Sequence, residues 1–423
     1  MKHHGLTPPK YRLIWEGILI GVLSGAVTIF YRWLLGICEN GRGELLYFFA
    51  TGIEKIIFWF FILGGICWIV SVLLKKEPMI SGSGIPQIEG EFHEKLKANP
   101  LRVLFLKIVG GSLSILGGLS LGREGPSIQL GGMGGLFVSQ KLHRDGEEKN
   151  FLLLCGAAAG LSAAFNAPLA GVLFAVEEVY KTISPSLLFS VMVSSVSADF
   201  LSKLFFGTES VFSFPLTAQF PLEQYWILIL LGVLVGLLGF VYNKTLLFGQ
   251  KQIQKMKNPF IRLLIPFFFA GVLAVFLPQV LGGGHSMIEL LGEPEFYLSF
   301  GILLLVVKFL FSVLSFGSGA PGGIFFPLLV LGAYIGAITG TLAIEMFGLN
   351  PELLFQFVVL AMAGYFTAIV HAPITGIILL CEMTGNFGNL LPISMVCIVS
   401  YIVTKSVGNK PIYDSLLERM LKK

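Results

Sequence analysis

Apolar residues run through this chain in long blocks rather than in alternating stripes. The segments Leu13–Cys38, Ile56–Leu74, Tyr225–Phe248, Leu263–Leu281, Leu298–Leu314, Leu328–Ile344 and Leu390–Thr404 are almost free of charge. Most approach or exceed the ~20 residues that a helix needs to cross a bilayer. A helix that is apolar all round belongs in a membrane or a large core. The pattern therefore predicts an all-α, polytopic membrane protein. Composition agrees: of 423 residues, 55% are hydrophobic and 13% charged, against about a quarter charged in soluble domains. The mean hydropathy is +0.82.

Charge adds an orientation. Lys and Arg gather at the N-terminus (Lys2, Lys10, Arg12), in the 251–262 connection (Lys251, Lys255, Lys257, Arg262) and near the C-terminus (Lys405, Lys410, Arg419, Lys422, Lys423), whereas 208–226 and 282–297 have none. Basic loops stay inside, so both termini are expected in the cytoplasm, with the chain in the cell (inner) membrane. The opening residues carry no small-residue cleavage site, and no soluble domain is expected after the last apolar block. A net charge of +4 calls for no nucleic-acid partner. The five cysteines (Cys38, Cys67, Cys155, Cys381, Cys397) lie in or beside apolar segments without metal-ligand spacing and read as small buried hydrophobes. No metal or cofactor is expected.

The chain also echoes itself. "APLAGVLFAVEE" (167–178) resembles "APITGIILLCEM" (372–383) at an offset of 205, and "GREGP" (122–126) aligns with "GIFFP" (323–327) at 201. Two matches at nearly one offset predict a duplication, with approximate halves 13–206 and 224–421 in one transmembrane transport domain. Repeats in membrane proteins place the site at their interface. "GSGIP" (82–86) and "GSGAP" (317–321) also look alike, but their offset is 235, so they are not expected at equivalent positions.

Some segments are too short to span. Residues 84–93 and 126–140 open on Gly and Pro, which end one helix and suit the first turn of another. A broken helix inside a membrane must line a cavity or be buried in protein. Its first-turn N–H groups are unpaired and partly positive, so several such ends aimed at one point form an anion site without a full charge. Close packing through small residues is the plainer reading of such glycines. Glu124 weighs against it, because an ionisable group at membrane depth is a functional candidate. Beside an anion site its carboxylate can occupy the anion's place, and protonation can release it, so one residue serves as gate and proton carrier. A structural pair with Arg123 is the competing reading; adjacent helical residues pair poorly, and Arg123 is expected to support the local fold. For Glu177 and Glu178, which close an apolar stretch, a solvated helix end and an inner proton acceptor both remain open, and Glu382 is read as structural. Lys107 and Lys308 add background potential or snorkel.

Taken in order, Gly82-Ser83-Gly84-Ile85-Pro86, Gly122-Arg123-Glu124-Gly125-Pro126 and Gly323-Ile324-Phe325-Phe326-Pro327, followed by Tyr413, resemble the CLC family of chloride channels and proton-coupled chloride transporters over nearly the whole chain. The resemblance implies a homodimer of inverted-repeat helical subunits, of the prokaryotic type without C-terminal regulatory domains. It implies chloride as the transported ion, with Ser83 and Tyr413 as hydroxyl ligands and Ile324 and Phe325 as backbone donors. Glu124 corresponds to the external gating glutamate and Glu178 to the internal proton glutamate. Phe326 departs from the smaller residue common there, which puts local packing in question. Glu124 and Glu178 together favour exchange of chloride for protons; a passive voltage- or pH-gated chloride channel on the same fold is the alternative. The chain lacks a His-Glu-x-x-His pattern and its six histidines are scattered, so it is not expected to be an enzyme.

Overall fold

The computed structural model describes residues 11–49, 52–181, 185–216, 218–292 and 297–422. Lys2, Lys10 and Lys423 of the expected basic termini lie outside them. The first part of the chain forms α1 (Tyr11–Phe49), α2 (Ile53–Lys76), α3 (Ile85–Phe92), α4 (Pro100–Leu116), α5 (Glu124–Lys141), α6 (Gly146–Phe165), α7 (Pro168–Phe174) with a π-helical turn Ala175–Tyr180, and α8 (Pro185–Phe206). The second part forms α9 (Tyr225–Ile253), α10 (Pro259–Phe276), α11 (His285–Leu290), α12 (Leu298–Gly317), α13 (Phe325–Phe347), α14 (Leu354–Val370), α15 (Pro373–Thr384), α16 (Leu390–Ser406) and α17 (Ile412–Leu421). Among the described residues, nine helices are long and apolar enough to cross a membrane. The apolar block at 13–38 is the start of a 39-residue helix, about 58 Å long at 1.5 Å per residue, and Gly41 and Gly43 do not end it.

The two parts are built alike. Gly82 and Gly282 both take φ of 62°, and Gly84 and Gly284 take 98° and 108°, left-handed values that glycine adopts without a Cβ penalty. These turns open α3 and α11. The mate of the first glycine motif is thus Gly282-Gly283-Gly284, and Gly317–Pro321 is not equivalent to Gly82–Pro86.

Lys107 and Lys308 neither snorkel nor face solvent. Both are fully buried. Lys107 Nζ donates to the Ile80 and Gly82 carbonyls at 2.9 and 2.6 Å, and Lys308 Nζ to Val280 and Gly282 at 2.8 Å each. Each ammonium satisfies carbonyls that the glycine turn withdraws from helical bonding. The acidic mates exchange caps: Glu177 accepts from the Ile374 and Thr375 N–H groups of α15 at 3.1 and 2.7 Å, and Glu382 from Leu169 and Ala170 of α7 at 3.0 and 2.8 Å. Glu382 is structural, as expected, and so is Glu177.

The core is built of large apolar side chains, with glycines where helices cross most closely. Cys67, Cys155, Cys381 and Cys397 are buried and Cys38 is half-buried, all with free thiols. The tightest packing joins α5 to α6, where Gly131 and Gly135 meet the backbones of Gly156 and Leu152. A methyl at Gly156 would collide with the Gly131 carbonyl. We therefore expect Gly156→Ala to destabilise the protein by about 1–3 kcal/mol, the usual cost of overpacking, read as a lowered midpoint of thermal unfolding in detergent. An unchanged midpoint would mean that α5 and α6 can separate freely.

Candidate functional site

Three breaks and one helix start converge at the middle of the molecule. Gly122 and Gly323 form an isolated antiparallel bridge, Gly122 N–H donating to Gly323 at 2.7 Å and Gly323 N–H to Gly122 at 2.8 Å. The chain passes from this bridge into α5 on one side and α13 on the other, so the two helices begin face to face. The Gly322 N–H donates to the Gly82 carbonyl at 3.0 Å, which brings the start of α3 to the same place. Gly125 lies so close to Ser83 that a side chain there would collide with the Ser83 hydroxyl. Tyr413, second residue of α17, brings its hydroxyl beside that of Ser83.

The donors face inward because their side chains face elsewhere. Ile324 and Phe325 are buried, and the Phe325 ring packs against Phe366 and Phe165 at 4.7 and 5.3 Å. Their N–H groups, with that of Phe326, stand in the first turn of α13, where no helical carbonyl can pair with them. The Ser83 and Tyr413 hydroxyls are buried beside each other and bond to no other group of the chain. Two donor hydroxyls and a helix start without partners at one point are arranged to take a small anion, because leaving them empty-handed costs free energy.

Glu124 is the first residue of α5 and is 1% exposed. Its carboxylate is within reach of its own N–H and that of Phe326, and a Cβ on Gly122 would meet its Oε2 and lie 3.1 Å from the Phe326 nitrogen. The carboxylate thus sits between the two helix starts. Arg123 Nε is 3.9 Å from Glu124 Oε1, a loose pair, as adjacent residues allow.

Two cavities approach this point. One, of about 340 Å³, reaches Ser83 and Gly82 past Arg262, Gln250, Gln254 and Phe316. The other is small, and Glu124, Arg123, Glu39, His285 and Phe326 line it. The bulk of Phe326 is absorbed there: its ring lies 4.1 Å from His285 and 5.9 Å from Phe212, while its N–H stays within reach of the Glu124 carboxylate. His285 is a lining residue that sequence reasoning passed over among scattered histidines.

Glu178 lies in the π-helical turn, 3% exposed, with one carboxylate oxygen unpartnered. Such π-turns recur at functional sites. Tyr413 is within electrostatic range of both Glu178 and Glu124. Of the paired glutamates, only Glu178 is left uncommitted.

A family model described as "Voltage gated chloride channel" matches residues 65–405. The H(+)/Cl(-) exchange transporter ClcA of Vibrio campbellii is 35% identical, with 99% of this chain and 92% of that protein covered; its counterpart from Vibrio parahaemolyticus is 33% identical, covering 99% and 91%. A slow cyanobacterial Cl−/H+ antiporter of known structure superposes with a TM-score of 0.92 at 30% identity, covering 99% of both chains. A CLC-type fluoride/proton antiporter superposes at 0.78 with 26% identity, covering 94% and 96%. With the match spanning most of its length and relatives aligned end to end, the chain belongs to the CLC family of voltage-gated chloride channels and transporters.

Proposed function

We propose that the protein exchanges chloride for protons across a membrane as a secondary active transporter. The observation that carries this reading is the Glu124 carboxylate lying between the starts of α5 and α13, where an anion would otherwise sit. Carboxylate and chloride compete for the same N–H groups. A proton on Glu124 removes its charge and its claim on those donors, so the group leaves and chloride enters. When the proton departs, the carboxylate returns and displaces the ion. Occupancy by anion and occupancy by proton are thereby linked.

In this reading Ser83 and Tyr413 hold the central chloride with the backbone of Ile324 and Phe325, and their hydroxyls close the path towards the larger cavity. Arg262 in that cavity and the basic 251–262 connection support a cytoplasmic side for it, with both termini. Glu178, buried beyond Tyr413, passes protons between the cytoplasm and Glu124. The chain works as one transport domain of two halves, 13–206 and 224–421, in a homodimer in the inner membrane, with no cofactor. The named relatives are exchangers, which supports exchange over a passive channel.

The test uses the purified chain in liposomes with a chloride gradient, no initial pH gradient, and voltage clamped at zero by potassium and valinomycin. Protons driven uphill as chloride runs down are expected; chloride flux with a flat pH trace would make the protein a channel. Glu124→Ala should abolish proton movement and leave a chloride flux that no longer rises as pH falls. Retained coupling would remove Glu124 from the gate. Glu178→Ala should also stop proton movement while the chloride flux keeps its pH dependence through Glu124. Tyr413→Ala should weaken chloride binding about tenfold or more by calorimetry, the loss of one hydrogen bond to a charged partner. An unaltered isotherm would exclude the tyrosine from the site.

A further inference from the structure

An ion cluster beside Glu178 has no part in the exchange cycle described above. The π-helical turn that carries Glu178 ends on Lys181, which takes a left-handed φ of 58°, and its ammonium turns inward. Lys181 Nζ donates to Glu89 Oε1 at 2.8 Å and also to Asp414 Oδ1. Glu89 belongs to α3, whose start presents Ser83; Asp414 directly follows Tyr413 at the start of α17. One ammonium therefore joins the element bearing the inner proton site to the two elements bearing the inner hydroxyls. A second contact runs the same way, the Tyr180 ring standing edge-on to Phe92 of α3 at 5.5 Å.

Other charged groups nearby are engaged elsewhere or lie at the margin. Both oxygens of Glu177 are bound to the first turn of α15. Lys410 pairs with Glu418 at 3.2 Å, and Lys149 with Glu91 at 2.9 Å. His93 and His371 sense Asp414 only through space. Among the described residues, Lys181 is the cation that bonds to both Glu89 and Asp414. An ion pair this exposed, with 39% of the Lys181 side chain in contact with solvent, adds little to global stability. Its placement gives it another use. Moving α17 away from α3 parts the Ser83 and Tyr413 hydroxyls, and the Lys181 bonds span that movement.

We propose that Lys181 is a positioning residue that latches α3 to the start of α17, keeping the Ser83–Tyr413 constriction closed while Glu178 exchanges its proton, and so sets how many protons accompany each chloride. The proposal rests on the exchange reading. Chloride that slips through an unlatched constriction carries no proton, so loss of the latch appears in the ratio of the two fluxes. That ratio does not depend on how much of the protein is active, whereas a purely structural defect lowers both fluxes together.

The experiment measures initial proton and chloride fluxes of the full chain in liposomes for the unchanged protein, Lys181→Met, Lys181→Arg and Asp414→Asn. We expect Lys181→Met to lower the proton-to-chloride ratio by about fivefold, the population shift that partly exposed ion pairs can hold. Lys181→Arg, which keeps both ion pairs, should restore the ratio, and Asp414→Asn should fall between. A Lys181→Met ratio equal to that of the unchanged protein overturns the latch. Should Lys181→Met fail to fold, Asp414→Asn decides in its place, and an unchanged ratio there overturns the proposal equally. A flat pH trace from the unchanged protein would instead overturn the exchange reading.

Discussion

Two hydrogen bonds between Gly122 and Gly323 set the terms for the rest of the molecule. They bring the starts of α5 and α13 together, and each helix start carries roughly half a positive charge. Two such ends facing each other at membrane depth repel and leave their N–H groups unpaired, an arrangement that is stable only with negative charge between them. The Glu124 carboxylate supplies it within the chain. A mobile anion is the other species that can, and competition between the two is built into the geometry. Burial makes the competition effective, since water that could screen the helix ends or satisfy their donors is excluded.

The buried lysines keep this centre intact without joining it. Lys107 and Lys308 bind carbonyls at the glycine turns, fixing the direction in which α3 and α11 start. A lysine at contact distance from the ion would hold it too tightly for turnover. With both ammonium groups bound to backbone carbonyls, the proposed anion site is left with hydroxyls and amides alone. The exchanged caps of Glu177 and Glu382 do the same for α15 and α7, tying each half to the other through a bond that only the partner half can complete.

Much of this was legible in the sequence because its causes are local. Gly and Pro mark where helices break, and Glu124 stands out because a carboxylate in an apolar context needs a reason. The roles of Lys107, Lys308 and Glu177 were not legible, although Lys107 and Lys308 recur at the same offset of 201 as the motifs. Their partners are carbonyls and amides, which leave no mark in residue identity. His285 was hidden for a similar reason: only the packed structure sets its ring against Phe326. The extension of α1 to Phe49 runs past Gly41 and Gly43, to where the Phe49 ring packs against Trp59 at 5.5 Å.

The two halves share a scaffold but divide the chemistry. At the positions facing each other across the bridge, the first half has Glu124 and the second has Phe325; Ser83 is matched by Gly283, and Glu178 by Met383. The first half contributes carboxyl groups and a hydroxyl, which can be protonated or rotated, and the second contributes backbone N–H groups, which can do neither. Tyr413 sits on α17, which follows the last repeated helix and has no mate. A symmetric centre would present the same barrier to both sides and could not distinguish a proton route from an anion route. Acids on one side of the bridge, bare amides on the other and a tyrosine from an unrepeated helix make this centre asymmetric, the condition that the proposed exchange with separate approaches for two ions requires.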